Sequence, residues 1–118
     1  MTKNKESTRY YSDMQEKSVV KLVGGQQVSN SGAGKFRKGD VHHDGASMLI
    51  ECKTPTSEKS SISIKKEWID KNKEEAFTQR LSNTAIAVTF APGTENYFLI
   101  NESLFRFLVE KLEEENSK

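Results

Sequence analysis

Apolar residues near the start of the chain recur at helical spacing. Ser12-Asp13-Met14-Gln15 has the form of a capping box, in which Ser12 caps a helix and Gln15 reaches back to it. The predicted helix carries Val19, Val20 and Leu22 and ends at Gly24-Gly25, a common C-terminal stop. Residues 1–11 are polar and basic, and we expect them to form a flexible arm.

Short apolar runs between turn residues predict β-strands in the next part of the chain. Residues 26–31 favour a short strand, and residues 40–43 favour a second one, followed by Asp44-Gly45 as a two-residue hairpin turn. Residues 47–53 contain Met48-Leu49-Ile50, a nearly continuous apolar run that is typical of a central strand. Residues 62–64 alternate in polarity and predict a short edge strand.

The second half of the chain predicts two helices around a β-hairpin. Residues 66–80 show apolar positions separated by charged ones, as in an amphipathic helix, and we expect Trp68 and Phe77 of this helix to lie in the core. Residues 84–90 favour a buried strand, and residues 97–100 favour its hairpin partner. Asn101 is placed to cap a final helix with an apolar stripe made of Leu104, Phe105, Leu108 and Leu112. This stripe serves either packing within the chain or a dimer interface.

The order of these elements predicts an α/β chain of the α+β type, with a central mixed β-sheet flanked by helices. The 118 residues suit one domain, which we place at residues 12–118. A single cysteine excludes an internal disulfide and a multi-cysteine zinc site. The polar start lacks the apolar segment of a signal peptide, and no apolar stretch is long enough to span a bilayer. We therefore expect a cytoplasmic protein.

Charge is divided unevenly along the chain. Residues 1–80 carry 15 Lys and Arg against 11 Asp and Glu, a net charge of +4, whereas residues 81–118 carry 3 against 6, a net charge of −3. A basic half suits a polyanionic partner such as DNA. Ordinary scatter of charges over a surface is the alternative explanation.

The candidate chemistry lies in Asp40 and in Glu51-Cys52-Lys53. Since strand residues alternate between faces, Glu51 and Lys53 point the same way and Cys52 points the other way. Two carboxylates can hold a divalent cation, and a neighbouring lysine can orient or activate water for attack on a phosphate. The alternative is a salt-bridge ladder on a solvated sheet face.

A glycine-rich basic loop precedes Asp40. Its cationic residues, Lys35, Arg37 and Lys38, are typical of contacts to the phosphate backbone, which position a duplex without reading its sequence. Ser29 and Ser31 are further candidates for holding phosphate. Lys65 and Lys66 either extend this DNA-facing surface or form ordinary ion pairs within their helix. A plain solvated loop is the alternative for residues 34–39.

Together, the helix with Glu16, the Ser31-Gly32-Ala33-Gly34 loop, Gly39-Asp40-Val41, the hairpin and Glu51-Cys52-Lys53 resemble the PD-(D/E)xK nuclease superfamily. Within it, the loop ahead of Gly39-Asp40 is similar to that of the small archaeal and phage Holliday-junction resolvases. The resemblance covers roughly residues 12–100 and implies a restriction-endonuclease-like fold. The chain departs from the family pattern at Gly39, where proline is frequent.

The resemblance also implies the roles of the site residues. Asp40 and Glu51 would hold Mg²⁺ or Mn²⁺ together with the backbone carbonyl of Cys52, and Lys53 would be the catalytic lysine. Glu16 would hold a second metal ion, although an acid in the first turns of a helix also complements the helix dipole.

The function implied is a metal-dependent, structure-selective endonuclease of DNA recombination and repair. It would cut four-way or branched DNA, leave a 5′-phosphate and work as a homodimer, because two symmetric nicks need two sites related by a two-fold axis. The alternatives are a nicking or repair nuclease that acts on ordinary duplex or flaps, and a DNA-binding module without catalytic activity.

Overall fold

The protein is an α+β domain built on one five-stranded mixed sheet. A computed structural model describes the backbone of residues 4–28 and 40–118, and the side chains of residues 8–28 and 41–118. The described elements, in chain order, are α1 (Asn4–Val23), β1 (Gln26–Gln27), β2 (Asp40–His43), β3 (Met48–Lys53), α2 (Lys66–Thr78), β4 (Asn83–Val88), β5 (Tyr97–Leu99) and α3 (Glu102–Asn116).

The strands lie in the sheet in the same order as in the chain, β1-β2-β3-β4-β5. Only β3 and β4 pair in parallel among the described strands, and α2 makes the crossover between them. The predicted central position of residues 47–53 is confirmed, because β3 has a strand on each side. The predicted edge strand at residues 62–64 was wrong, since this segment has no regular structure.

The first helix begins earlier than its sequence indicates. It starts at Asn4, so the predicted cap at Ser12 was wrong, and residues 4–11 are helical. Gln15 does not reach back to Ser12. Its buried amide nitrogen donates to the carbonyl of Ala87 and to Oδ1 of Asn96, both at 3.1 Å. These hydrogen bonds connect α1 to β4 and to the residue directly before β5. A local sequence pattern does not reveal such contacts. The predicted end at Gly24 is confirmed.

The hairpin between β2 and β3 is confirmed, but its loop is longer than the Asp44-Gly45 pattern predicts. His43 pairs with Met48, so four residues, 44–47, form the connection. The left-handed position is taken by Ser47, with φ of 51°, and not by Gly45. The carbonyl of Ser47 also accepts from the backbone N–H of Asn83 at 2.8 Å, so this loop is linked to the start of β4.

The two faces of the sheet are covered by different helices. On one face, Val19 of α1 packs with Val41, Ile50 and Cys52, which are fully or almost fully buried. On the other face, α2 packs over β3 and β4, and its Asn72 is fully enclosed and donates to the carbonyl of Ala85 at 3.1 Å. The active-site candidates of β3 are divided between these two faces.

The last helix packs differently from its prediction. Asn101 caps α3 as expected, its Oδ1 accepting from the backbone N–H of Leu104 at 2.9 Å. However, α3 contains no buried residue, so the prediction that its stripe packs within the chain is not borne out among the described residues. Phe77, expected in the core, is also exposed over 82% of its area. Within the described parts of the chain, no helix has the length and hydropathy needed to cross a membrane.

Candidate functional site

The β2–β3 hairpin aligns the two acidic residues on which the predicted site depends. Asp40 lies directly opposite Glu51 in the antiparallel register. Residues that face each other in this way have Cα atoms about 4.5–5.5 Å apart. Lys53 follows two residues after Glu51, on the same face of β3, and its Nζ lies 3.2 Å from Oε2 of Glu51. The structure therefore brings Asp40, Glu51 and Lys53 to one end of the hairpin.

Glu51 and Lys53 are held in a partly enclosed position against α2. The Glu51 side chain is 16% exposed and that of Lys53 is 35% exposed. Nζ of Lys53 lies 4.7 Å from the centre of the Trp68 ring, within the range of a cation–π interaction. Lys53 is thus positioned by a carboxylate and by an aromatic face.

The surroundings of Glu51 raise its pKa above the ordinary value of a glutamate. Burial raises the pKa of Glu51, and the nearby carboxylate of Glu75 raises it further. Lys53, which is both a neighbouring charge and a hydrogen-bond donor, acts in the opposite direction, as does Lys71. A divalent cation at this position would favour the charged carboxylate, because a nearby positive charge stabilises the ionised form, as Lys53 does.

Sequence reasoning missed that α2 contributes to this site. Trp68 was expected in the core, but it is only partly buried and its ring contacts Lys53. Trp68, Lys71 and Glu75 follow each other by three and four residues, so they lie on one side of a helix. That spacing was visible in the sequence, but nothing in the sequence showed that this side of α2 covers Glu51.

Cys52 lies between the two site residues and points to the opposite face. Its side chain is buried in the cluster formed by Val19, Val41 and Ile50. The predicted role for this residue involves only its backbone carbonyl, and the alternation of β3 is consistent with that role because the thiol faces away from Glu51 and Lys53.

The structure does not bring Glu16 to the other predicted ligands. Oε1 of Glu16 accepts from Nε2 of Gln27 at 2.8 Å, and the same nitrogen donates to Asp13 at 2.6 Å. Gln27 pairs with Val41, which places it on the face covered by α1, whereas Glu51 points to the face covered by α2. Glu16 therefore belongs to a separate acidic cluster on the other side of the sheet.

That cluster has its own electrostatics. Glu16 is buried, with 6% of its area exposed, and burial is the main cause that raises its pKa. The neighbouring Asp13 raises the pKa of Glu16 further, while the hydrogen bond from Gln27 opposes the shift. Hydrogen bonds from Gln27 and Lys17 lower the pKa of Asp13. The amide of Gln27 thus connects two carboxyl groups whose pKa values are shifted in opposite directions.

The predicted DNA-contacting residues divide into two groups. Ser29, Ser31, Lys35, Arg37 and Lys38 lie outside the described residues. Lys65 and Lys66 stand exposed at the start of α2. Nζ of Lys66 lies 2.9 Å from Asp70 in an i,i+4 ion pair, so the alternative of an ordinary helical pair applies to Lys66.

The chemistry of the donor set fits a hard divalent cation. Mg²⁺ and Mn²⁺ prefer carboxylate and carbonyl oxygens, which are the groups that Asp40, Glu51 and Cys52 offer. Among the side chains that the structure describes, no three His, Cys, Asp or Glu residues lie close enough together to hold a metal ion. Asp40 is outside that set of side chains, so the pair it forms with Glu51 rests on the backbone register.

Comparison of the chain with protein-family models, with curated proteins and with solved structures gave no match.

Proposed function

We propose that the protein is a metal-dependent endonuclease that cuts branched DNA, such as a four-way junction, by phosphodiester hydrolysis. The observation that carries the proposal is the arrangement at the end of the β2–β3 hairpin. Asp40 stands opposite Glu51 in register, and Lys53 forms an ion pair with Glu51 at 3.2 Å. This combination of acids and a lysine suits the attack of water on an anionic phosphodiester.

The two acids supply the binding site for the cation in this proposal. Asp40 and Glu51 would hold Mg²⁺ or Mn²⁺, with the backbone carbonyl of Cys52 as a third oxygen ligand. The bound cation supplies charge neutralisation at the phosphate and a water molecule that loses its proton more readily. Because Glu51 is largely shielded from solvent, its interaction with a cation is less weakened by water than at an exposed position.

Lys53 supplies a positive charge beside the acids. Its ammonium group would orient the attacking water and stabilise the negative charge that develops on the phosphate, an effect typically worth several kcal/mol. The ion pair with Glu51 and the ring of Trp68 keep this ammonium group near the acidic pair. One partner of Lys53 belongs to the sheet and the other belongs to the helix that covers it. Because the fold holds both partners, the position of the ammonium group is pre-organised.

The choice of substrate and the assembly follow from the resemblance to Holliday-junction resolvases. The basic loop of residues 34–39, with Lys35, Arg37 and Lys38, would contact phosphates on the approach to Asp40. The protein would act in the cytoplasm as a homodimer, leave a 5′-phosphate and contribute to recombination and repair. A nuclease of the same fold that acts on ordinary duplex or flaps is the alternative substrate assignment.

Cleavage of a labelled four-way junction in the presence of Mg²⁺ tests the proposal. We expect Asp40→Asn, Glu51→Gln and Lys53→Met each to reduce the cleavage rate by about a hundredfold or more, because each removes a charge on which the proposed chemistry depends. The matched controls are Glu58→Gln and Lys59→Met, which make the same changes on an exposed loop and should leave the rate unchanged. An excess of unlabelled linear duplex distinguishes a junction-selective enzyme from a general nicking enzyme.

Calorimetry with Mn²⁺ separates the enzyme from a DNA-binding module. A metal site made by Asp40 and Glu51 should bind Mn²⁺ in the unmodified protein and lose that binding in Asp40→Asn. Absence of cleavage together with metal binding that does not depend on Asp40 would overturn the proposal and favour a structural role for these carboxylates.

A further inference from the structure

The apolar face of α3 is a surface that the rest of the described chain leaves uncovered. The helix is the most amphipathic of the three that the structure describes, yet it contains no buried residue. An amphipathic helix normally turns its apolar face toward a packing partner. At positions i, i+3, i+4 and i+7, on one side of the helix, four side chains that are between 42% and 62% exposed form what we call the α3 patch: Phe105, Leu108, Val109 and Leu112.

The charges of α3 are not neutralised evenly around this helix. It carries five glutamates against Arg106 and Lys111, a net charge of −3. Nε of Arg106 lies 3.5 Å from a carboxylate oxygen of Glu110, and Nζ of Lys111 lies 3.5 Å from one of Glu114. At 100° per residue, Glu110 and Glu114 lie on the side of α3 away from the α3 patch. Both cations are therefore already compensated by glutamates of the far side.

Two other glutamates border the α3 patch on one edge. Glu102 lies three residues before Phe105, and Glu113 lies four residues after Val109, so each adjoins a patch residue on the helix surface. Three helical turns separate the two glutamates, which places them about 16 Å apart along the axis. Neither forms an ion pair among the described side chains, and Arg106, on the same edge, is paired elsewhere. This edge of the patch therefore carries uncompensated negative charge.

These charges discriminate between the possible classes of partner. Helices that lie on membranes are typically rich in Lys and Arg, because lipid headgroups are frequently anionic. DNA would be repelled by the same glutamates. A second copy of the chain would bring its own glutamates to the patch, and like charges across an interface oppose association. Charge complementarity thus favours a cationic partner.

The area of the α3 patch indicates how large that partner surface is. An aromatic side chain carries about 150–250 Å², so Phe105 alone leaves on the order of 100 Å² in contact with water. With its three aliphatic side chains the patch reaches roughly 350 Å². Apolar patches of a few hundred Å² on a monomer are frequently functional. A standard interface buries about 800 Å² per partner, so the patch suits a single amphipathic segment.

We propose that the α3 patch binds a cationic amphipathic helix of another protein. The apolar side chains of that helix cover the patch, and lysines or arginines beside its apolar face lie opposite Glu102 and Glu113. Helices that pair in this way gain affinity from the apolar contact, and the flanking charges select the partner. The inference does not depend on whether the β2–β3 hairpin hydrolyses DNA, and the partner is not the second copy of the proposed homodimer.

Fluorescence anisotropy with the full chain and a labelled synthetic peptide tests the proposal. The probe is a helix of about 18 residues, or five turns, with leucine on one face and lysine on the other. We expect a dissociation constant on the order of 10 μM, as for an interface below the standard size. One control peptide has glutamate in place of each lysine, and another has the same composition with its leucines scattered around the helix. Both should bind at least about tenfold more weakly.

A leucine variant locates the binding site on the chain. Leu112→Gln removes an apolar contact without adding charge and should raise the dissociation constant of the lysine peptide by about tenfold. Leu22→Gln is the matched control, because Leu22 is 65% exposed on α1 and Leu112 is 62% exposed on α3. It should leave the dissociation constant unchanged. Both leucines are exposed, so both variants should keep the circular dichroism of the unmodified protein.

A glutamate variant tests the edge of the patch. The double variant Glu102→Gln/Glu113→Gln should weaken binding of the lysine peptide by about twofold to tenfold, because two exposed charge pairs are lost. The control Glu67→Gln/Glu74→Gln removes two exposed glutamates of α2 and should leave the affinity unchanged. Equal losses in the two proteins would show that only overall charge attracts the peptide, which contradicts the inference.

Three further results would overturn the proposal. If the scattered-leucine peptide binds as tightly as the amphipathic one, the apolar face of the partner is irrelevant. Self-association of the protein that is abolished by Leu112→Gln would assign the α3 patch to a second copy. Co-sedimentation with phosphatidylglycerol vesicles that is lost in the same variant would assign it to a lipid surface.

Discussion

Lys53 is the candidate site residue whose position is most closely fixed by neighbouring side chains. Its ammonium group contacts the carboxylate of Glu51 and lies over the ring of Trp68. A lysine side chain has four carbons and many rotamers, so two fixed partners reduce the positions that its charge can occupy. The pairing also keeps the partly buried Glu51 from standing as an uncompensated charge.

Removal of the Trp68 ring tests this positioning. We expect Trp68→Leu to lower kcat for the proposed junction cleavage by about 2–30-fold, the range that corresponds to one cation–π contact. Trp68→Phe keeps an aromatic face and should recover much of the loss. If both variants lose activity equally, or if KM changes and kcat does not, Trp68 does not act through Lys53.

Glu16 is the second residue whose environment has a measurable consequence. Its pKa is raised in the folded protein above the usual 4.5, mainly by burial, so the folded state binds its proton more tightly than the unfolded state does. The stability that this preference contributes is complete below about pH 4.5, and it is lost as the pH rises through the pKa of the folded state.

We therefore expect Glu16→Gln to become more stable relative to the unmodified protein as the pH rises above 4.5. Urea unfolding of both proteins at a series of pH values gives this difference, and Glu58→Gln serves as the control for loss of an exposed carboxylate. A constant or falling difference would show that burial of Glu16 does not penalise its charged form. The Gln27 contact remains available to the new amide oxygen.

Among the elements, the turn between α1 and β1 depends most strictly on residue type. Gly24 and Gly25 have φ of 87° and 91°, which side chains with a Cβ atom rarely adopt. The two positions differ in space. A Cβ atom at Gly24 would lie 3.5 Å from the His43 ring, whereas one at Gly25 would lie 2.6 Å from the carbonyl oxygen of His42.

The two glycines therefore form a matched pair for mutation. We expect Gly24→Ala to lower the free energy of unfolding by about 1–2 kcal/mol, through backbone strain alone. Gly25→Ala should cost about 2–5 kcal/mol, because the backbone of β2 must also move. Equal losses in chemical denaturation would mean that the close approach of Gly25 to the backbone of β2 is unimportant.

The elements also show which features local sequence determines. The C-terminal end of α1 and the cap of α3 depend on Gly24 and Asn101, whose effect is local, and both were predictable. The start of α1 and the length of the β2–β3 loop were not, because Gln15 and Ser47 form contacts with residues far along the chain. An amphipathic pattern predicted α3 as a helix, but it could not show that the rest of the domain leaves the stripe uncovered.

On the scale of the whole molecule, the sheet separates two acidic regions. Alternation within β3 was sufficient to predict that Glu51 and Lys53 share a face and that Cys52 does not. No pattern in the sequence shows on which face α1 lies, so the prediction that Glu16 joins the others depended on resemblance. The structure assigns Glu16 to the face of α1, and the candidate site is completed instead by Trp68 of α2.

The parallel pairing of β3 with β4 has a consequence for the order in which the chain folds. Four residues connect β2 to β3, whereas residues 54–82 connect β3 to β4. The length of the longer connection is nearly three doublings of the length of the shorter one. Closing it therefore costs roughly 1.8 kcal/mol more in chain entropy. The hairpin can thus form from local contacts alone, while the crossover requires a distant part of the chain. The register that aligns Asp40 with Glu51 therefore depends on contacts that are local in sequence and not on closure of the longer connection to β4.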